Sequence, residues 1–206
     1  KEKAVQLCDT PYFIILDAHM RFYDNKWANR LTDELDKNSN RLLCCQTKIL
    51  SRETDGTVVD KGEMGVHGAF LTFSSDELIP NIKWNNGKIS TSLGKGEIPA
   101  VLGASYCTSK AYWNKLRGLQ GMIHYGCEEA YISIKAWLEG GGCHLIDDVV
   151  IGHLYRKKAP YRIDTVLNNY NYYLIADTLF PPLFCAKAHA VGITLNKQLY
   201  LSVMEE

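Results

Sequence analysis

Asp17 and His19 stand two residues apart at the end of an apolar run, Pro11-Tyr-Phe-Ile-Ile-Leu16. In an extended strand residues i and i+2 share a face, so a carboxylate and an imidazole there point the same way. Such a pair suits a divalent ion of Mn²⁺ or Zn²⁺ character better than the all-oxygen cage of Ca²⁺ or Mg²⁺. Two ligands hold an ion weakly, and a third must come from elsewhere in the chain. The structural alternative is that Asp17 caps a turn and His19 lies on the surface. Glu128 and Glu129 are a second candidate, since they fall in the first turn of a helical pattern over Cys127–Glu139. Acids at that position either do chemistry or complement the helix dipole. Gly103-Ala104-Ser105 is a third, where small residues in a strand admit a ligand or another backbone, or mark a bulge or tight packing.

The elements that must carry these residues alternate in type. Ala4, Val5 and Leu7 read as the end of a helix stopped by Asp9-Thr10-Pro11, and the apolar run to Leu16 reads as a fully buried strand. Trp27, Leu31 and Leu35 recur at helical spacing through Lys26–Lys37, and Arg41–Leu50 reads as a second buried strand. A strand–helix–strand unit implies a right-handed parallel crossover, hence an α/β fold. From Ser51 to about Ala100 glycines punctuate a long irregular excursion, with short strands at Ala69–Phe73 and Asn81–Trp84, that reads as a substrate-binding flap. No phosphate-cradling glycine motif sits between a strand and a helix. Ile98–Cys107 reads as a strand, followed by a helix from Ser109 to near Gly118 and a loop to Gly126. Ala130, Ile134 and Trp137 give the next helix its buried face, Gly140-Gly-Gly142 ends it, and Cys143–Ile146 and Val149–Tyr155 read as a strand pair leading to His153. A basic loop, Arg156–Tyr161, precedes a helix over Val166–Leu179. Residues 1–165 are expected to form the core and 166–206 a helical extension packed on it.

Composition narrows the partners. The 206 residues are 46% hydrophobic and 22% charged, ordinary for a globular domain. Twenty-three basic residues balance 23 acidic ones, and no basic run exceeds Arg156-Lys157-Lys158, which argues against nucleic acid and anionic membranes as partners. No apolar stretch is long enough to span a bilayer. Seven cysteines without a C-x-x-C pair point to free thiols and a reducing, cytoplasmic compartment, with any membrane association left to segments outside this chain.

Taken in order, several motifs resemble one family. They are Phe13-Ile-Ile-Leu-Asp17-Ala-His19, Gly68-Ala-Phe70, Gly103-Ala-Ser-Tyr-Cys-Thr-Ser-Lys-Ala-Tyr112, Gly121-Met-Ile-His-Tyr-Gly-Cys-Glu128-Glu129 and Gly152-His153-Leu-Tyr-Arg156-Lys-Lys-Ala-Pro160-Tyr161. Spread over residues 10–165, they resemble the catalytic domain of the polypeptide N-acetylgalactosaminyltransferases, within the family-2-like glycosyltransferases of GT-A fold. The resemblance implies an α/β, GT-A-like mixed sheet flanked by helices. The chain starts just before the metal strand, so the expected architecture is truncated at its N-terminus and lacks the nucleoside-binding strands.

The resemblance also implies roles. Asp17, His19 and His153 would be the protein ligands of Mn²⁺, or another divalent cation, on the diphosphate of a nucleotide sugar. A Lewis acid there neutralises the leaving group as the sugar–oxygen bond breaks. Arg156 would add a cationic donor to the same phosphates, and Glu128 would face the donor sugar and acceptor. Gly103, Ala104, Tyr125 and Tyr161 would bind substrate. Three positions depart from the family: Tyr125 replaces tryptophan, Cys127 replaces glycine and Glu129 replaces asparagine. A second carboxylate at 129 would alter donor choice or supply a base. The implied function is metal-dependent transfer of a sugar, from a UDP-sugar in the first instance, to a glycan, lipid-linked or protein acceptor hydroxyl. The alternatives are a non-catalytic binding module of the same fold and a metal-dependent phosphoester hydrolase.

Overall fold

The computed structural model describes residues 1–73, 80–86, 96–155 and 162–182. Its elements in chain order are α1 (Glu2–Leu7), β1 (Tyr12–Leu16), β2 (Met20–Phe22), α2 (Trp27–Lys37), β3 (Leu42–Arg52), β4 (Val58–Met64) and β5 (Ala69–Phe73). They continue with β6 (Pro80–Trp84), β7 (Glu97–Ile98), β8 (Ser105–Ser109), α3 (Lys110–Lys115), α4 (Glu128–Glu139), β9 (Cys143–Leu154) and α5 (Thr165–Leu179). The main sheet has the order β1-β8-β3-β9-β2, with β4 added beside β3 and β7 beside β9, while β5 and β6 form a separate ribbon. β3 and β9 run parallel, and every other pairing is antiparallel. This is the mixed, helix-flanked α/β sheet expected.

Strand alternation divides the core in two. On β3, Leu43 and Cys45 face α2 and pack with Leu31, Leu35 and Ile151. Leu42 and Cys44 face the other side, with Tyr106, Trp113, Ala130 and Ile132. Tyr170, Leu174 and Ile175 of α5 belong to that second cluster. The tight face of α4 is Ala130, Ser133 and Ala136, whereas Ile134 and Trp137 are only partly buried. Small residues at i, i+3 spacing let this helix approach the sheet, and Ser133 Oγ accepts the Val101 N–H at 3.1 Å. Gly140, at φ 96°, ends α4 in the left-handed conformation that glycine adopts without a Cβ penalty.

Several expectations need correction. β1 is partly exposed along its whole length, because it pairs on one side only, with β8. β1 and β3 are parallel but not neighbours, since β8 lies between them. The residues from Ser51 onward are less irregular than their glycines suggest: β3 and β4 form a hairpin, and β5 pairs β6 through Ala69 and Trp84. The strand read over Ile98–Cys107 is two pieces, β7 and β8, separated by a turn in which the Ser105 N–H donates to Leu102 O at 3.1 Å. The strand pair near His153 is a single strand, β9, whose register against β3 shifts between Cys45 and Gln46. Residues 74–79, 87–95 and the tail from 183, parts of the flap and the helical extension, lie outside the described residues.

Candidate metal and sugar-transfer site

Asp17 follows the last residue of β1, and its backbone N–H donates to Ala104 O at 3.0 Å. Three residues later the chain enters β2, which sets Met20 opposite His153 on β9. The Leu154 N–H donates to His19 O at 3.3 Å. This short link brings the His19 and His153 rings face to face, with centroids 5.0 Å apart and planes 25° apart. Asp17, His19 and His153 each offer one ligand atom, and all three atoms lie within 4.8 Å of one another. His153 Nε2 is 3.4 Å from Asp17 Oδ2. The His153 side chain is buried, and neither of its ring nitrogens makes a hydrogen bond of ordinary geometry. Buried polar nitrogens without partners are costly, and ligation is one way to satisfy them. A carboxylate with two imidazoles therefore fits a divalent transition-type ion. The His153 imidazole holds the Asp17 carboxyl below its ordinary value, against the opposing effect of burial.

The other candidates surround one cavity of about 310 Å³, bordered by Asp17, His153, Gly103, Ala104, Tyr125, Glu128 and Glu129. Gly103 and Ala104 come from the turn before β8, Tyr125 from the loop before α4, and the two acids from the first turn of α4. α5 fixes that loop: Asn171 Nδ2 donates to Ile123 O and Gly126 O, and Asn168 Nδ2 donates to Tyr125 O. Glu129 lies across Gly103, where an added Cβ would sit 2.1 Å from Glu129 Oε1. Arg156 and Tyr161 lie outside the described residues.

Lys1 and Trp84 border the cavity without a place in the motifs, and Tyr155 stands inside the last motif without a role assigned to it. Lys1 Nζ donates to Glu128 Oε1 at 2.7 Å. Trp84 comes from the end of β6, and Tyr155 from just beyond β9. Tyr155 carried a usable signal, because it is two residues from His153 and so on the same side of an extended chain. Its ring meets His153 edge-on at 4.2 Å, and its hydroxyl bonds to Thr47 Oγ1 at 2.8 Å. Lys1 and Trp84 carried none, being distant in sequence from the acids they accompany.

The two adjacent acids differ in their surroundings. Glu128 is paired with Lys1. Glu129 is pushed up to about 7, first by burial and then by the Glu128 carboxylate beside it. A carboxyl raised on folding binds more protons in the native than in the unfolded chain. Its stabilising effect is therefore complete below the unfolded value and is lost as pH rises to about 7. Thermal unfolding from pH 4 upward should show the native chain losing stability toward neutrality relative to Glu129→Gln. Parallel pH profiles for the two would remove this account of Glu129.

No protein-family model matches the chain. Its fold is that of a GT-A glycosyltransferase: a crystal structure of GalNAc-T7 with UDP, GalNAc and Mn²⁺ superposes with a TM-score of 0.63, covering 99% of this chain and 41% of that one at 17% identity. In sequence the chain resembles the polypeptide N-acetylgalactosaminyltransferases. It is 24% identical over 161 residues to mouse polypeptide N-acetylgalactosaminyltransferase 5, covering 75% of this chain. It is 26% identical over 155 residues to the human polypeptide N-acetylgalactosaminyltransferase 10, covering 72%. The chain spans only 17% and 24% of the lengths of these two relatives. Among the described residues no helix is long and apolar enough to cross a membrane. Cys8, Cys44, Cys45, Cys107, Cys127 and Cys143 are free thiols.

Proposed function

We propose that this chain carries the metal and transfer centre of a glycosyltransferase, which moves a sugar from a UDP-sugar to an acceptor hydroxyl. The observation that carries the reading is the convergence of Asp17, His19 and His153, of which Asp17 and His153 line the cavity shared with Glu128 and Glu129. Residues 1–165 would be the catalytic core, with 166–206 packed on it.

Asp17, His19 and His153 would hold Mn²⁺, which when bound supplies the positive charge that stabilises a departing diphosphate. In the transfer, the acceptor oxygen bonds to the anomeric carbon as the bond from that carbon to the diphosphate oxygen breaks. Gly103 and Ala104 would let the donor sugar lie close to the backbone. Glu128, held by Lys1, would accept hydrogen bonds from sugar hydroxyls. Glu129, with a carboxyl titrating near 7, is suited to take the acceptor's hydroxyl proton. Tyr125 would border the sugar, and Arg156 and Tyr161 would complete the phosphate and substrate contacts. The relatives named above support a sugar nucleotide as donor.

Calorimetric titration with Mn²⁺, alone and with UDP, tests the reading. The ion should bind the chain, bind more tightly with UDP present, and bind weakly to Asp17→Asn. Absence of Mn²⁺ binding under both conditions would overturn the proposal.

A further inference from the structure

Trp84 is 53% exposed although it is the largest kind of apolar side chain, and it borders the same cavity as Glu129. Its position is built. Trp84 is paired with Ala69 in the β5–β6 ribbon, and the next residue, buried Asn85, ties the ribbon down. The Asn85 N–H donates to Gly68 O at 3.0 Å, its carbonyl accepts the His67 N–H at 2.7 Å, and its Nδ2 donates to His67 O at 3.3 Å. The Trp84 ring leans on Tyr155 at 5.1 Å and 49°, and Tyr155 in turn meets His153. A continuous row of rings thus runs from the exposed indole to the ligand cluster. Tyr125, 47% exposed, presents a second ring to the cavity.

An aromatic face kept in water beside carboxylates has a specific complement. A pyranose offers one face of polarised C–H groups, drawn to the negative face of an indole, and a rim of hydroxyl donors for acids. A ligand pocket of this kind combines apolar surface with a few convergent polar groups, and about 310 Å³ lies at the small end of the roughly 300–1,000 Å³ such pockets occupy. We propose that Trp84 is the platform for the acceptor, and that the acceptor is a sugar ring whose hydroxyl is presented to Glu129. The inference rests on the transferase reading for the word acceptor; the sugar platform itself rests on Trp84 and the cavity.

Saturation-transfer NMR and fluorescence titration of the whole chain test it. The probes are methyl β-D-galactopyranoside, methyl β-D-glucopyranoside and N,N′-diacetylchitobiose, with a threonine peptide as comparator. At least one glycoside should bind, Trp84→Phe should retain binding, and Trp84→Ala should weaken it by about tenfold, as loss of a stacking face predicts. Mn²⁺ and UDP binding should be the same in Trp84→Ala as in the native chain. Glycoside binding that is absent, or equal in Trp84→Ala, overturns the platform. A weaker UDP complex in Trp84→Ala makes the ring a nucleobase contact and overturns it too, as does a peptide whose binding depends on Trp84. If Mn²⁺ and UDP do not bind while glycoside binding still depends on Trp84, the transferase reading falls and the platform stands.

Discussion

His153→Ala should lower the Mn²⁺ affinity of the chain by at least about 100-fold, since loss of a direct ligand exceeds the 10–100-fold typical of an outer-shell change. Asp17 and His19 leave the chain at the end of a strand and can bind an ion only as a pair. The third position comes from β9, on the far side of a parallel pairing with β3 that fixes its register over both halves of the strand. Truncating a buried side chain usually destabilises. Here the cost should be modest, because neither ring nitrogen makes a hydrogen bond of ordinary geometry and the ring gives up only the 3.4 Å approach of Nε2 to Asp17 Oδ2. Affinity and stability should therefore separate: Mn²⁺ binding by electron paramagnetic resonance collapses while the far-ultraviolet circular dichroism and melting profile stay close to native. Unchanged Mn²⁺ binding in this variant would mean that the three side chains converge for another reason.

The candidate ligand trio, Asp17, His19 and His153, shows what was and was not legible in the sequence. Asp17 and His19 announce themselves by i, i+2 spacing after an apolar run. His153 does not, and it entered through a motif resemblance rather than through spacing. What joins it to the others is the strand Met20–Phe22, three residues too few to give a periodic signal, whose pairing puts Met20 opposite His153. Short strands are specified by their partners, and partners are remote in sequence. The same physics explains the misreading of Ile98–Cys107. Its apolar residues suggest a strand, yet Pro99 and Gly103 interrupt it, and the Ser105 N–H bonds to Leu102 O in a turn. That turn is what holds Gly103 and Ala104 at the cavity instead of in the sheet. The helices were easier because Leu31 and Leu35 of α2 sit on one face of a single amphipathic element. α4 is packed on two sides, by the sheet and by α5, and its fully buried positions are Ala130, Ile132, Ser133 and Ala136, three of them small residues that a hydrophobic pattern ranks below Ile134 and Trp137.

Glu128 and Lys1 add a constraint at the N-terminal end. Glu2 accepts hydrogen bonds from Trp113 Nε1 at 3.1 Å and from the Leu119 N–H at 2.7 Å. This docks α1 on the core and holds Lys1 where it can pair with Glu128. The pairing leaves Glu129 as the acid whose proton is set by burial, and the two neighbours thereby acquire different chemistry from the same side chain.

Gly103→Ala should reduce transfer by about 100-fold, the lower range for loss of a positioned general base, while leaving stability within about 1 kcal/mol. A methyl group at 103 would meet Glu129 Oε1 at 2.1 Å, Cδ at 2.6 Å and Cγ at 2.9 Å. Gly103 does not occupy the left-handed region, so its backbone accepts alanine without strain, and the conflict is with one side chain. Glu129 must swing away. In doing so it moves toward water and loses the burial that raises its carboxyl, so its value should fall from about 7 toward the ordinary carboxylate range. Carboxyl-detected NMR titration would follow that fall directly. If the substitution acts through Glu129, Gly103→Ala combined with Glu129→Gln should be no slower than either variant alone, since each removes the same group. Rate losses that multiply would mean that the added methyl also obstructs the donor sugar proposed to lie against Gly103, beyond its effect on Glu129.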